Sequence, residues 1–156
     1  MAKKTDKTTN SLVADNRRAR YNYEIGDTFE AGLALTGTEV KSLRSGKANL
    51  QDAFVTVRAA GADLYNLYIA PYEQARFAEQ VPKRPRRLLL HKRELDKLRK
   101  GTERQGYTIV PTRLYFSNGR AKVEIALGKG KKLHDKRDAT AEREAKRAMD
   151  RAKKER

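Results

Sequence analysis

A short basic segment near the N-terminus carries side chains that can bind phosphate and stack on bases. Its members are Asn16, Arg17, Arg18 and Arg20, followed by Tyr21 and Tyr23. A guanidinium group can donate two parallel hydrogen bonds to a phosphate, and an aromatic ring can stack on an unpaired base. The same residues could instead form a solvated basic face with the tyrosines in the core. Because the chain carries a formal net charge of +16, we interpret the segment as an RNA-contacting edge.

Residues 129–156 form a second region whose composition indicates a polyanionic partner. The segment has twelve Lys or Arg residues against six Asp or Glu. Leu133 and Met149 are its only large aliphatic side chains, so apolar burial cannot offset the entropy cost of ordering it. Its alanines nevertheless recur at helical spacing, at Ala141, Ala145, Ala148 and Ala152. We therefore expect a tail that is disordered when free and becomes helical on a polyanionic surface.

Two further basic groups could also meet phosphates. Lys41 and Arg44 are three residues apart, so on a helix they share a face, which could bind phosphate or simply be solvated. The run Gly128–Lys132 is rich in glycine and lysine but lacks the GxxxxGK[ST] spacing of an ATP-binding loop. We interpret it as a flexible exit from a strand, with its lysines along an RNA backbone.

Composition excludes several kinds of site and compartment. The chain has no cysteine and two histidines, His91 and His134, so no disulfide, thiolate chemistry, metal site or cofactor is expected. Glu30, Asp63 and His91 could be combined on paper into an acid/base set, but no spacing unites them, so an enzyme is not expected. The N-terminus lacks the apolar stretch of a signal peptide, and no apolar run approaches the ~20 residues that span a bilayer. These features predict a cytoplasmic protein without a membrane partner.

Local patterns between Asn16 and Leu127 predict short strands and helices. Alternating apolar residues predict a strand at residues 29–35, and Thr38 can cap a short helix that ends at Gly46. Residues 54–69 read as a hairpin with its turn at 60–63, and Asn118-Gly119 predicts a second hairpin. The run Leu88-Leu89-Leu90 leads into a predicted helix that Leu95 and Leu98 continue.

These elements predict a mainly β fold. Strands joined by hairpins favour an OB-like antiparallel β-barrel with two or three attached helices, because closing the sheet protects its edges. An open α+β sheet is the alternative. The predicted organisation is a disordered basic N-terminal arm at residues 1–15, the barrel at residues 16–128 and the tail at residues 129–156.

Three segments together resemble one family. They are NRRARYNYEIGDTFEAGLALTGTEVKSLRSGKANLQDAFV, LLLHKREL and YFSNGRAKVEIALGKGKKLHDKR, and they are similar to the SsrA-binding protein (small protein B) family, which binds tmRNA. The resemblance extends in colinear order from Asn16 to Arg137. It implies an OB-like barrel that binds the tRNA-like domain of tmRNA and brings it to a bacterial ribosome stalled on a non-stop mRNA, for ribosome rescue by trans-translation.

The resemblance also implies partners and a division of labour. The tail would occupy the decoding centre of the 16S rRNA and the empty mRNA channel, folding there as a helix. Elongation factor Tu and alanyl-tRNA synthetase would act indirectly, through the same tmRNA. The protein would have no catalytic activity of its own, and a monomer is expected.

The predicted site residues fall into two sets. By resemblance, Asn16, Glu30 and Leu89 contact tmRNA, Asp135, Lys136 and Arg137 form a DKR signature that works on the ribosome, and His134 can stack on a base. With the basic residues added, the tmRNA set is Asn16, Arg17, Arg18, Arg20, Glu30, Lys41, Arg44 and Leu89. The ribosome set is Lys131, Lys132, His134, Asp135, Lys136, Arg137, Arg143, Lys146, Arg147 and Met149.

The residues alone leave other interpretations open. Without the resemblance, Glu30 would be an outward strand residue paired with a lysine, and each leucine of the run 88–90 could be a core residue, although one of them should be exposed. The tail beyond Arg137 is rich in alanine, which departs from the family pattern. A general OB-fold RNA chaperone or ribosome-associated RNA-binding protein is the rival function. It predicts similar affinity for any structured RNA.

Overall fold

The computed structural model describes residues 11–75, 80–104, 106–131 and 133–154, and in the last range the side chains of residues 140–152. The strands are β1 (Ser11–Asp15), β2 (Tyr23–Leu33), β3 (Ala48–Asn49), β4 (Phe54–Arg58), β5 (Gly61–Tyr65), β6 (Tyr68–Ile69), β7 (Arg86–Leu89), β8 (Tyr107–Ser117) and β9 (Arg120–Gly130). The helices are α1 (Arg17–Asn22), α2 (Gly37–Arg44), α3 (Lys92–Thr102) and α4 (Leu133–Lys154).

The larger sheet closes on itself. Its strands follow the order β8, β4, β5, β7, β2 and β9, and β9 pairs again with β8. β1 is added to the edge of β8 beyond the point where β4 pairs, and each of these pairings is antiparallel. Closure satisfies backbone groups that an open sheet would leave at its edges. The predicted OB-like barrel is therefore confirmed over the open α+β sheet.

The β8–β9 hairpin forms the long wall of the barrel. Its turn is Asn118-Gly119, whose φ angles of 52° and 77° are those of a tight turn matched to strand twist, as the sequence predicted. Inward residues of the barrel strands, such as Leu114 and Ile125, are fully buried. Helices α2 and α3 close the core with Leu43 and Leu98, which are also buried. Three helices thus attach to the barrel, and α4 forms the tail.

A buried ion pair joins α2 to β7. Arg86 is 0% exposed, and its Nε donates to Glu39 Oε2 at 2.7 Å while its other nitrogens donate to the carbonyls of Leu67 and Pro82. Burial by itself would raise the pKa of Glu39, but hydrogen bonds from Arg84, from the Thr36 backbone and from Arg86 outweigh it and hold that pKa below its ordinary value. The arginine thus occupies a core position that an apolar side chain usually fills.

The structure corrects two helix starts. α2 is capped by Thr36 rather than Thr38, because Thr36 and Glu39 exchange hydrogen bonds in a capping box. The leucine run does not lead into a helix: Leu88 and Leu89 belong to β7, and α3 begins only at Lys92. The Thr36 cap is selected locally by the Glu39 side chain, whereas pairing of β7 with β2 and β5 makes Leu88 and Leu89 part of a strand.

The structure also corrects the first hairpin. Arg58 pairs with Gly61, so the turn is at residues 59–60 rather than 60–63. The hairpin arm ends at Tyr65, and Tyr68 and Ile69 pair instead with β3 in a separate small sheet. The apolar alternation runs through both β5 and β6, which is why the sequence alone joined them.

The predicted N-terminal arm is ordered in part. Residues 11–15 form β1, which pairs with β8 across a bulge between Leu12 and Ala14. The bulge interrupts the period of two that marks a strand in sequence, so the pattern was missed. The remainder of the arm, residues 1–10, lies outside the described residues.

The tail adopts the helix that its alanine spacing indicates. Residues 133–154 form α4, and disorder of the free tail stays a prediction. Alanine and the long charged residues have high intrinsic helix propensity, which favours this conformation even with little burial.

Candidate nucleic-acid interface

Leu89 is the most exposed apolar residue on the outside of the barrel wall formed by β7 and β2. Strand alternation turns Leu88 into the core at 3% exposure and leaves Leu89 outside at 60%. Leu89 pairs with Gly32, and a Cβ added to Gly32 would lie only 3.1 Å from the Leu89 Cβ. The glycine therefore lets the leucine lie close against β2. The prediction that one leucine of the run is exposed is confirmed, for a strand rather than a helix.

Glu30 lies two residues before Gly32, so it faces outward on the same side of β2. Its Oε2 accepts a hydrogen bond from the Tyr115 hydroxyl at 2.5 Å. Burial and the neighbouring Glu30 carboxylate both raise the pKa of Tyr115, so the phenol keeps the proton that it donates. The partner of Glu30 is thus a tyrosine two strands away, where the sequence suggested a lysine.

A second carboxylate lies directly across from Glu30. Glu124 pairs with Glu30 in the β2–β9 register and accepts two hydrogen bonds from Arg113, each 3.0 Å long. The hydrogen bonds from Arg113 lower the pKa of Glu124 despite its partial burial. Arg113 therefore offsets the negative charge of this pair of strands. Sequence reasoning missed Arg113, Tyr115 and Glu124, although their alternation along β8 and β9 marked them as outward residues.

Helix α1 borders the same outer surface. Asp15, just before it, accepts two hydrogen bonds from Arg20, at 2.7 and 3.0 Å, and pairs with Arg113 in the β1–β8 register. These bonds hold the pKa of Asp15 below its ordinary value. A continuous series of contacts thus runs from Arg20 through Asp15 to Arg113 and on to the two glutamates. We call the surface formed by Arg20, Asp15, Arg113, Glu124, Glu30, Tyr115 and Leu89 the outer face.

The other two arginines of α1 take part in exposed ion pairs. The side chain of Arg17 is 92% exposed and lies 3.9 Å from Asp15. Arg18 points to the other side of the helix, where it lies 3.7 Å from Asp52 with more than half of its side chain exposed. Pairs as exposed as these contribute little to stability. Their guanidinium groups are therefore available to a phosphate.

Asn16 is placed differently from its prediction. It is 1% exposed, and its Nδ2 donates to the carbonyls of Leu50 and Pro111 at 3.1 and 2.8 Å. Its Oδ1 caps α1 by accepting from the Ala19 amide. Both side-chain N–H groups are used, so the predicted direct RNA contact is revised to a positioning role for α1.

Lys41 and Arg44 lie away from the outer face. Both are exposed on α2, with the Lys41 Nζ 5.5 Å from the ring centroid of Tyr72 and the Arg44 guanidinium 5.1 Å from that of Phe116. A cation–π contact holds each of the two cations over its ring. The structure therefore places Arg20, Glu30 and Leu89 of the predicted tmRNA set on the outer face, and Lys41 and Arg44 in a second basic area on α2. The remaining members, Asn16, Arg17 and Arg18, lie at α1.

The tail meets the barrel at α1. The Lys131 amide donates to the Asn22 carbonyl at 2.9 Å, and the Arg143 guanidinium lies 5.0 Å from the ring centroid of Tyr21. Thr140 also donates a hydrogen bond of 3.4 Å to the Tyr21 hydroxyl. Tyr21, which the sequence assigned to base stacking or the core, thus anchors α4.

The rest of the predicted ribosome set is solvent-facing or not described. Lys146, Arg147 and Met149 are exposed, Met149 at 64%. Lys132 and the side chains of His134, Asp135, Lys136 and Arg137 lie outside the described residues; the backbone of the last four is in α4.

Two kinds of site are not found in the described ranges. No group of three or more His, Cys, Asp or Glu side chains there could hold a metal ion. Among the same residues, no helix combines the length and apolar character needed to cross a membrane.

Comparisons with known proteins agree with one another. The family model for SmpB protein matches residues 13–155. The chain is 54% identical to the SsrA-binding protein of Roseiflexus castenholzii, over 93% of this chain and 92% of the relative. It is also 54% identical to the SsrA-binding protein of Thermobifida fusca, over 96% of this chain and 94% of the relative.

A solved structure shares the fold. It is described as "tmRNA-SmpB: a journey to the center of the bacterial ribosome". The similar chain superposes with a TM-score of 0.67 at 48% sequence identity, covering 81% of this chain and 93% of that one. With the family match extending over nearly the whole sequence, this chain belongs to the SmpB family.

Proposed function

We propose that this protein binds the tRNA-like domain of tmRNA and delivers it to stalled ribosomes for trans-translation. The outer face and α1 bind tmRNA, and the tail enters the decoding centre and the empty mRNA channel. Membership of the SmpB family supports the assignment, as does the resemblance of the three segments that carry the motifs. The protein acts as an RNA-binding adaptor rather than as an enzyme, in the cytoplasm where ribosomes work.

The observation that carries this proposal is that Arg20, Glu30 and Leu89 share one surface. They come from separate elements, α1, β2 and β7, and are linked through Asp15, Arg113, Glu124 and Gly32. An exposed leucine can pack under a base or ribose, while arginine binds phosphate. Such a combination suits a folded RNA loop better than a plain duplex, which offers phosphates but little apolar surface.

Glu30 needs a specific role, because phosphate repels a carboxylate. Its bond to Tyr115 fixes one oxygen, and the other oxygen can accept from the exocyclic amino group of an unpaired base. Arg113 offsets the charge of Glu124, which limits repulsion of the RNA backbone. Arg17 and Arg18 bind phosphates beside the outer face, Asn16 positions α1, and Lys41 and Arg44 contact RNA from α2.

The proposed role of the tail follows from its shape and charge. α4 has 22 residues, so it is about 33 Å long at 1.5 Å per residue. Its described side chains from residue 141 onward are exposed on every side. A helix with charge around its whole circumference suits a channel walled by RNA. The described side chains of the predicted ribosome set are Lys131, just before the helix, and Arg143, Lys146, Arg147 and Met149 on it. Elongation factor Tu and alanyl-tRNA synthetase act through the bound tmRNA.

A salt titration tests the barrel half of the proposal. Binding to the tRNA-like domain is measured from low to high salt with an ordinary tRNA of similar length as competitor. Both affinities should fall with salt through counterion release. A gap of about a hundredfold, or about 2.7 kcal/mol, should persist at high salt. If the two affinities coincide at every salt concentration, the protein is a general RNA chaperone and the proposal is wrong.

Point variants locate the specific part of the binding. Leu89→Ala and Glu30→Gln should reduce that gap, whereas Val81→Ala, a control aliphatic residue that is 55% exposed elsewhere, should leave it unchanged. Equal effects of all three variants would argue against the outer face.

A truncation tests the tail. Removing residues 133–156 leaves the Lys131–Asn22 hydrogen bond in place, so the barrel surface stays intact. Binding to the tRNA-like domain should be nearly unchanged, and tagging on stalled ribosomes should be lost. If the truncation abolishes tmRNA binding at moderate salt, the proposed division of labour is wrong.

A further inference from the structure

An aromatic pair on β4 and β5 lies outside the surfaces described so far. Phe54 and Tyr65 are register partners, with ring centroids 5.4 Å apart and planes inclined by only 12°. Phe54 is 41% exposed, on a chain whose surface is otherwise dominated by charge. Cross-strand aromatic contact stabilises a hairpin, which accounts for the rings touching each other. It does not account for the uncovered area of Phe54.

The pair is held in a fixed orientation. Arg58 Nη2 donates to the Tyr65 hydroxyl at 3.0 Å, which holds that ring beside Phe54. Because the two rings stack on each other, each covers one face of its partner and leaves its outward face for a base. The hydrogen bond from Arg58 limits the side-chain entropy that the pair loses on binding. This is the arrangement that single-stranded nucleic-acid sites use for base stacking.

The pair borders a groove that belongs partly to α1. Phe54 lines this groove together with Arg18, Tyr23, Asp52 and Thr108. Arg18 is exposed on the groove side, and Arg58 is exposed on the side of Tyr65. A guanidinium group therefore flanks the rings on each side. The exposed pair of Arg18 with Asp52 is weak enough for Arg18 to turn to a phosphate beside a stacked base. A neutral apolar peptide would gain nothing from these two cations.

Helix α1 connects this groove to the outer face. Arg20 turns toward Asp15 on one side of α1, and Arg18 turns toward Asp52 on the other. Only one residue separates the two arginines in sequence. An RNA strand that crosses α1 would therefore contact both. We infer that Phe54 and Tyr65 form a stacking platform for an unpaired nucleotide of the same RNA that binds the outer face. This inference rests on the proposed function, which it extends by a second contact.

A tryptophan substitution reports stacking directly. The chain contains no tryptophan, so Phe54→Trp introduces a single fluorophore at the platform. Adding the tRNA-like domain should quench its emission, in step with binding measured independently. Tyr68→Trp places the same fluorophore at an exposed site on β6, at 37% exposure, and should show little quenching. Equal quenching of the two variants would overturn the inference.

Affinity measurements separate stacking from folding. Phe54→Ala should weaken binding by about fivefold or more, while Phe54→Tyr and Phe54→Trp should retain it. Phe54→Leu keeps an apolar side chain of similar size but has no aromatic ring, so it should fold normally and bind like the alanine variant. Wild-type affinity of the leucine variant would overturn the inference.

The outcomes also separate this inference from the proposed function. If Leu89→Ala weakens binding and the Phe54 variants do not, the outer face stands and the platform fails. If an ordinary tRNA competes equally, the proposed function fails whatever Phe54 does. Quenching of Phe54→Trp by ribosomes alone, and not by the tRNA-like domain, would overturn the inference in favour of a ribosomal contact.

Discussion

The barrel and the tail position their cations in different ways. On the barrel, Arg113 is fixed by two hydrogen bonds to Glu124, and Arg20 by two to Asp15. On α4, every described side chain from residue 141 to 152 is exposed, and Arg143 meets the barrel through one ring, that of Tyr21. The barrel therefore presents a preformed surface. The tail presents charge at helical spacing and depends on its partner to define the path that it follows.

This difference has a physical consequence for recognition. A preformed surface loses little conformational entropy on binding and cannot adapt to its partner. Small changes in the shape of the RNA therefore alter the affinity of the barrel for it. A charged helix binds through counterion release, which is insensitive to sequence. The barrel thus suits selection of one RNA, and the tail suits a channel whose walls are RNA throughout. Four measurements test this difference between the barrel and the tail.

The largest expected effect is in the barrel interior. Arg86→Met removes the buried partner of Glu39 and leaves that carboxylate only partly neutralised by Arg84. We expect a loss of about 3 kcal/mol in the free energy of unfolding, measured by urea denaturation. Arg87→Met, at the next and half-exposed position of β7, should change it by less than about 0.5 kcal/mol. Similar losses for the two variants would show that the buried ion pair of Arg86 stabilises the barrel no more than the half-exposed pair of Arg87 does.

The second effect concerns the base of α1. Asn16→Ala leaves the carbonyls of Leu50 and Pro111 without their donor and removes the helix cap. The expected cost is about 1–3 kcal/mol in the free energy of unfolding. Arg17→Ala, one residue on but almost fully exposed, should have no measurable effect on stability while weakening RNA binding. If Asn16→Ala instead weakens RNA binding without lowering stability, Asn16 contacts the RNA directly.

The third effect is a dependence on acid. Because the pKa of Glu39 is lower in the folded chain than its ordinary value of 4.5, its contribution to stability is complete above that pH. It is lost as the pH falls through the lowered folded value, where the folded chain takes up the proton. Urea midpoints measured from neutral pH to pH 3 should therefore fall at the acid end, and Glu39→Gln should flatten that part of the profile. An unchanged profile in the variant would assign the acid sensitivity to other carboxylates, such as Asp15 and Glu124.

The smallest effect is expected at the tail. Tyr21→Ala removes the ring beneath Arg143 and the acceptor for Thr140. A cation–π contact at an exposed site contributes about 0.5–1 kcal/mol, so amide exchange in α4 should accelerate by about two- to fivefold. Amides of β8 and β9 should be unaffected, and Tyr68→Ala should leave α4 unchanged. Slower or unaltered exchange in α4 would mean that Tyr21 does not anchor the tail.

Much of the candidate site could be predicted from the sequence because its signals are local. The exposure of one leucine in the run 88–90 and the basic character of α1 follow from composition and spacing within a few residues. The assignment of Glu30 came from resemblance alone, since its partner Tyr115 is 85 positions away. The role of Asn16 was missed for the same reason: its hydrogen-bond acceptors lie 34 and 95 positions along the chain.

Features that depend only on neighbouring residues can be read from the sequence. Asn118 and Gly119 tolerate positive φ, so the β8–β9 hairpin follows from two residues, and the alanine spacing of residues 141–152 determines a helical tail. The tertiary structure alone decided which side of each strand faces the core, which placed Arg86 inside and Leu89 outside. It also decided that residues 11–15 form a strand. Strand direction and pairing depend on partners distant in sequence, whose positions no local pattern contains.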